Sequence, residues 1–447
     1  MCELIDMPKV ERRIDPRRQL LAGIFRALND SGVPWCIPHG YEKFTEETPA
    51  DIDCILAREL TPKRLAELLH SHEIALNARV VQWLADGAHW IVLASNESPP
   101  TMLQLHVSYD YELNHRIFYR GEEILESRQA HDGFWIASPT IEFGCVLANR
   151  ISKAKLDECR QERLADFFAE DPSGCARQIE KFFSLEPVRL LTRALKDRDW
   201  NDVNSNLSRL RADLLRGTKK SGLVASWFRR AKRWLKPDTG LHVTFLGPDG
   251  VGKSTVIDGV REHLRDAFLR TDYFTFAPSL IPQKLQPEKK TPHALSPRSY
   301  PASLLKAAWW GVCYTLGYQL TIRPAKARAS FVMNHRYLLD AIVDPKRYRY
   351  SGPAWLLNLI WKISPKPDLV LLLDAEPQVI WERKKEVALA ETIRQHDEYR
   401  KLVQPMRIGR IADASQTIDQ VVAEVDRLLL DFLAARVTKR FRLETHP

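Results

Sequence analysis

Two groups of residues carry the chemistry this chain can do. The first is Gly247-Pro248-Asp249-Gly250-Val251-Gly252-Lys253-Ser254-Thr255, which fits G-x-x-x-x-G-K-[ST] without a mismatch. Glycines at that spacing let main-chain N–H groups close around phosphate oxygens with no Cβ in the way. Lys253 is placed to reach the β- and γ-phosphates, and the Ser254 hydroxyl to face Mg2+. Gly247, Asp249, Gly250, Val251, Gly252, Lys253, Ser254 and Thr255 are therefore expected to form a seat for ATP with Mg2+. The second group is Asp51 and Asp53, in the run Asp51-Ile52-Asp53-Cys54-Ile55-Leu56. Residues two apart on a strand share a face, so the two carboxylates stand side by side. Like charges held that close call for a cation between them, the geometry of a divalent-metal site for nucleotidyl transfer.

Each group needs an element to hold it. Leu241–Leu246 is a short apolar, β-branched run of the length of a buried parallel strand, and Val256–Phe268 reads as the helix after the loop, its positive end aimed at the bound anion. Thr271–Phe276 and Ala329–Met333 read as further strands. Asn334-His335-Arg336-Tyr337 follows the second of them, with Asp340 a few residues on. Leu369–Asp374 is an apolar strand ending in an acid, and by that pattern Asp374 is a candidate metal ligand beside Ser254. Glu376–Ala390 reads as a helix carrying Arg383, Lys384 and Lys385. Together these spell a doubly wound α/β domain over residues 240–447.

In the first half, Arg18–Asp30 has helical apolar spacing, Val33–Pro38 is a short strand, and Met102–Val107 a later one. Glu142–Phe168, Cys175–Leu195 and Asn206–Leu215 read as helices. The expected organisation is an α+β domain over 1–135, a helical extension over 136–215 and a basic linker over 216–239. Lys219, Lys220, Arg229, Arg230, Lys232, Arg233 and Lys236, interleaved with Trp227, Phe228 and Trp234, make 219–236 either a linker helix or a peripheral contact for an anionic membrane.

The formal charge of +9 points to anionic partners, and nucleotides satisfy it as well as nucleic acid does. The basic residues are dispersed and no aromatic stacking platform accompanies them, so nucleic-acid binding is not expected. The cysteines, seven and scattered, show no C-x-x-C pair; with a charged start lacking an apolar h-region, the reading is a cytoplasmic protein. Ala307–Ile322 is the longest uncharged run. It falls short of the ~18–20 residues that span a bilayer and is expected to be a buried helix.

On G-P-D-G-V-G-K-S-T, the R-Y pair at 336–337 after a strand, and P-D-L-V-L-L-L-D with basic residues behind it, the second half resembles the thymidylate kinase family of nucleoside monophosphate kinases. The resemblance implies that Asp249 holds the acceptor's sugar. It implies that Arg336 grips the acceptor phosphate, and that Arg383, or Arg394 as a second candidate, offsets charge on the transferred group. It also implies an aspartate where this chain has His335. Arg347 and Arg349 are candidates for a larger or more anionic acceptor. The first half resembles the nucleotidyltransferase superfamily, on a helix, the Gly40 loop and D-x-D at a strand start. His106 occupies that family's third acidic position, Asp110 lies off register, and Tyr41 replaces a small polar residue.

The expectation is an ATP-dependent phosphotransferase acting on a nucleotide or another phosphorylated small molecule, with Lys253, Arg336 and Arg383 as its catalytic set. The alternatives are a nucleotide-binding regulator or scaffold, and a nucleotidyltransferase using Asp51 and Asp53. A homo-oligomer is compatible with either half.

Overall fold

The computed structural model describes residues 15–45, 48–86, 88–217, 231, 239–278, 296–385 and 387–443. The 219–236 stretch lies outside the described residues except for Ala231, as does most of the Pro-rich segment that follows Ala277. The chain divides into two compact units. One comprises residues 1–96, 101–223 and 438–447, the other 97–100 and 224–437.

The first unit opens with the helix Pro16–Asp30. Asp15 caps it by accepting from Arg17 N, Pro16 sits in its first turn, and Leu20, Leu21, Ile24, Phe25 and Leu28 face inward. Its sheet has β1 (Trp35–Cys36), β2 (Asp51–Leu56), β3 (Ala78–Asp86), β4 (Ala88–Ser95) and β5 (Met102–Ser108) in the order β1-β2-β5-β4-β3. Only β2 and β5 run parallel. Two hairpins follow: β6 (Asp110–Leu113) with β7 (Arg116–Arg120), and β8 (Gln129–His131) with β9 (Phe134–Ile136).

The helical patterns after residue 136 are shorter than their periodicity implied. Glu142–Phe168 is two helices, Pro139–Ser152 and Glu158–Glu170, and Cys175–Leu195 is again two, Pro172–Phe182 and Leu185–Asp197. Asp157, Asp171 and the prolines at 139 and 172 start new helices where apolar spacing alone runs on. Phe143, Leu147, Leu164, Phe182 and Leu191 share one core with Ile55 and Tyr119, so these helices close over the sheet's own residues.

The second unit holds a parallel five-stranded sheet: β10 (Leu241–Leu246), β11 (Arg270–Phe274), β12 (Ser330–Asn334), β13 (Leu369–Asp374) and β14 (Gly409–Asp413), in the order β11-β12-β10-β13-β14. All six residues of β10 are buried, as suits the central strand of a sheet covered on both faces. The helix after the loop is Lys253–His263 and stops short of Phe268. Glu376–Ala390 is not one helix: Pro377–Arg383 ends at Lys384, which is extended, and a new helix runs Leu389–Val403.

Ala307–Ile322 is helical but is not a buried helix. It is the end of the helix Tyr300–Val312 followed by a π-helix, Cys313–Ile322. Tyr314 and Tyr318 face the interior while Trp309, Leu316 and Leu320 stay exposed.

Candidate functional site

The 247–254 loop is shaped by backbone conformations that only glycine takes without strain. Beyond β10, Gly247, Gly250 and Gly252 have φ of +141°, +91° and +100°. A Cβ on Gly247 would stand 2.7 Å from the Leu373 carbonyl oxygen, and one on Gly250 2.8 Å from Cβ of Lys384. The helix that follows has no side-chain cap at Gly252, so its first N–H groups are left for an anion. Val251 is buried beneath the loop, and Ser254 and Thr255 are exposed on the first turn.

Lys253 is buried, and its Nζ donates to the carbonyls of Gly247 at 2.6 Å and Pro248 at 2.9 Å. Asp249 sits between two guanidinium groups. Its Oδ1 accepts from Arg336 Nη2 at 2.9 Å, its Oδ2 pairs with Arg347, and Lys253 Nζ lies 3.9 Å from Oδ1. Register places this cluster: Thr244 of β10 pairs with Asn334 of β12, so both strands deliver their following residues to one end of the sheet.

Ser254 Oγ lies 3.1 Å from Nε2 of His335. Burial and the charges of Lys253, Arg336 and Lys384 lower the His335 pKa to about 3, so its ring is neutral at physiological pH. The nearest acid in sequence, Asp340, is otherwise engaged. It accepts from Tyr337 N at 2.6 Å and Tyr399 Oη at 2.8 Å, fully buried, as the internal cap of a short helix. Asp374 pairs with His396 Nε2 at 2.9 Å and Arg400 at 3.3 Å. The side chains around the loop thus suit a polyphosphate, and the oxygen donor they offer a metal is Ser254 Oγ. Among the described residues, no group of three or more His, Cys, Asp or Glu is arranged to hold a metal ion.

Of the arginines expected to meet the acceptor or the transferred group, Arg336 and Arg347 are at the loop. Arg383 donates to the Ala414 carbonyl at 3.0 Å, Arg394 is bound to Glu391 and the Val343 carbonyl, and Arg349 donates to the Ser296 carbonyl at 2.8 Å. Lys384, the neighbour of Arg383, packs against Gly250 and acts electrostatically on His335. The break in the helix at Lys384 turns that residue toward the loop, which a continuous helical reading from Glu376 conceals.

In the first unit, Asp51 and Asp53 both lie on the exposed face of β2. Asp53 is opposite His106, whose Nδ1 is 3.6 Å from Asp53 Oδ1. The surrounding protein pushes the Asp53 carboxyl up, but His106, aided by the charges of His39 and Lys153, brings it below its usual range; Asp53 and Asp51 in turn raise His106 against its own burial. Asp110 is buried, paired with Arg58 at 2.7 Å and accepting from Gly121 N at 3.0 Å. Tyr41 donates to Glu142 at 2.9 Å, and Arg163 closes the same cluster. Lys153 acts on Asp53, whereas Arg163 serves Glu142 and Glu42.

Over 211 residues the chain is 28% identical to the thymidylate kinase of Lactobacillus delbrueckii subsp. bulgaricus, covering 42% of this chain and 95% of that protein. It is 26% identical over 212 residues to the thymidylate kinase of Ligilactobacillus salivarius, covering 43% and 99%. Over 127 residues, 25% of this chain and 60% of the relative, it is 35% identical to the thymidylate kinase of Thiobacillus denitrificans. Part of this chain is similar to thymidylate kinases. No family model matches it.

Proposed function

We propose that residues 240–447 form an ATP-dependent phosphotransferase of the nucleoside monophosphate kinase type. The observation that carries this is the loop itself: three positive-φ glycines, an uncapped helix start, and Lys253 and Arg336 drawn together around it. Similarity to thymidylate kinases over about 42% of the chain supports it. In this reading main-chain amides of 247–254 bind the β-phosphate of ATP. Lys253 leaves its carbonyl partners for phosphate oxygens. Arg336, with Arg347, exchanges the Asp249 carboxylate for the acceptor's phosphate, and Lys384 stands where charge develops on the transferred group. Mg2+ would supply further charge neutralisation, with Ser254 as its protein ligand. Transfer of this kind depends on positioning and electrostatics rather than on covalent help from the protein. The acceptor class is an anionic small molecule, a nucleoside or sugar monophosphate.

The test is ADP release with a panel of nucleoside and sugar monophosphates. At least one acceptor is expected to stimulate turnover, and Lys253→Ala to abolish both turnover and ATP binding. Tight ATP binding with no acceptor-stimulated turnover would reject the kinase.

A second reading, a nucleotide-binding regulator, is favoured by His335, a neutral imidazole beside Ser254 where the resemblance calls for a carboxylate. The His335→Asp change separates the two. A kinase weakened at this position gains turnover from it, whereas a regulator does not. For residues 1–135, with 136–215 closing over them, we propose a nucleotidyltransferase-like unit, on the paired exposure of Asp51 and Asp53.

A further inference from the structure

The turn that carries Arg347 also carries a second arginine with different neighbours. Residues 345–350 close a Schellman motif, in which Tyr350 N donates to the Pro345 carbonyl at 2.9 Å and Arg349 N to the Lys346 carbonyl at 2.8 Å. Arg349 holds the left-handed position of that motif, with φ of +51°. Glycine usually fills this position, because a Cβ is unfavourable there. Its Nε donates to the Ser296 carbonyl at 2.8 Å, and its own carbonyl accepts from Arg298 N at 3.2 Å. Lys306, on the Tyr300–Val312 helix, donates to the Tyr348 carbonyl and stands over the Trp310 ring, 4.9 Å from its centroid. Ser351 ties the same pieces together: its N donates to Ser303 Oγ at 3.1 Å and its Oγ to the Arg298 carbonyl at 2.5 Å.

These contacts gather positive charge without its counterpart. Residues 296–310 and 345–353 contain five lysines and arginines and no carboxylate. Arg347 is paired with Asp249, and Lys346 acts on Glu391. Arg298, Lys306 and Arg349 form no ion pair among the described residues. Burial, with the charges of Arg298 and Arg349, pushes the Lys306 ammonium down to about 8. Like charges held together by a hydrogen-bonded backbone repel one another unless an anion lies among them. An arginine in a glycine conformation and a lysine kept among cations are both accounted for by an occupant that brings negative charge. Guanidinium forks match phosphoryl oxygens in pairs, and the ammonium adds a point charge.

We propose that Arg298, Lys306 and Arg349 bind a phosphoryl group, distinct from any that the 247–254 loop and Arg336 receive. Two sources share that chemistry: a second phosphate on the acceptor, since Arg347 and Arg349 rise from one turn, and free inorganic phosphate. Only the first source rests on the phosphotransfer reading. The test is calorimetric titration of the full-length protein, at about pH 7 and so below the Lys306 pKa, with inorganic phosphate, a sugar monophosphate and the corresponding bisphosphate. The parent is compared with Lys253→Ala, which removes the loop's own contribution, and with Arg349→Gly and Lys306→Gln. A phosphate-binding event is expected to survive in Lys253→Ala and to weaken at least about tenfold in each of the other two. Arg349→Gly is expected to unfold at the parent's temperature or above, because glycine suits the position, which separates loss of the anion from loss of the fold. A bisphosphate bound at least about tenfold tighter than the monophosphate, with the preference lost in Arg349→Gly, identifies the acceptor as the source; equal affinities identify free phosphate. Phosphate binding unchanged in Arg349→Gly and Lys306→Gln, or absent from Lys253→Ala, would overturn the proposal. A bisphosphate preference without acceptor-stimulated ADP release would reject the kinase and leave this site standing.

Discussion

At the scale of single residues, the second unit keeps two histidines neutral, both chiefly by burial. Burial lowers His335 beside the loop and the cations Lys253, Arg336 and Lys384 lower it further, while His242 is fully buried in β10 and its pKa falls to about 4. Asn334 fixes the tautomer of His242. Its Nδ2 donates to the Phe276 carbonyl, so its Oδ1 accepts from His242 Nε2, and Nδ1 of the ring is left without a hydrogen-bond partner. The unfolded chain protonates this imidazole near pH 6.5 and the folded chain near pH 4. Between those values the unfolded state binds more protons, so stability falls as the pH is lowered from about 6.5 to about 4 and loses nothing further to this group below that. The full effect is on the order of 3 kcal/mol. Urea unfolding at pH 7.5 and pH 5 should therefore show a smaller pH penalty in His242→Gln than in the parent, even though the variant is less stable overall at the higher pH.

At the scale of elements, the loop and the segment around Ile380–Lys384 are mutually dependent. Gly250 meets Lys384 and the Ile380 carbonyl so closely that a methyl group has no room, and its φ of +91° is already unfavourable for any other residue. Gly250→Ala is expected to cost about 1–3 kcal/mol of stability and to weaken ATP binding at least about tenfold, measured by denaturant unfolding and by nucleotide titration. Much of this arrangement is legible in the amino-acid order. The β10 run, the glycine spacing and the Asp374 strand end are all read from short local patterns, and β12 is found within a residue. What escapes is decided by long-range contacts. Arg383 and Lys384 are adjacent in sequence and equally basic, and only the helix end at Arg383 determines which of them reaches the loop. Asp340 reads as a spare acid until Tyr399, far along the chain, is seen to donate to it. The same holds for 307–322, whose composition announces apolar burial on every side but whose neighbours cover one side alone.

At the scale of the whole chain, the two units carry separate candidate chemistries, each built around its own sheet. Each departs from its resemblance at one acidic position, His335 beside Ser254 and His106 beside Asp53. If the first unit transfers nucleotidyl groups, Asp51→Ala and Asp53→Ala are expected to abolish incorporation of label from α-labelled nucleotide and to leave acceptor-stimulated ADP release unchanged. Loss of both activities in those variants would mean that one unit's reaction depends on the other's carboxylates.

The carboxylate of Asp249 has a consequence for the binding of other anions. It pairs with both Arg336 and Arg347, the two groups proposed to take the acceptor's phosphate, while Lys253 donates to carbonyls of its own loop. An acceptor's phosphate held by those two guanidinium groups would have to compete with this carboxylate. In the proposed kinase, Asp249→Asn, which weakens that internal ion pair, is expected to tighten competition by inorganic phosphate, read from its inhibition of acceptor-stimulated ADP release.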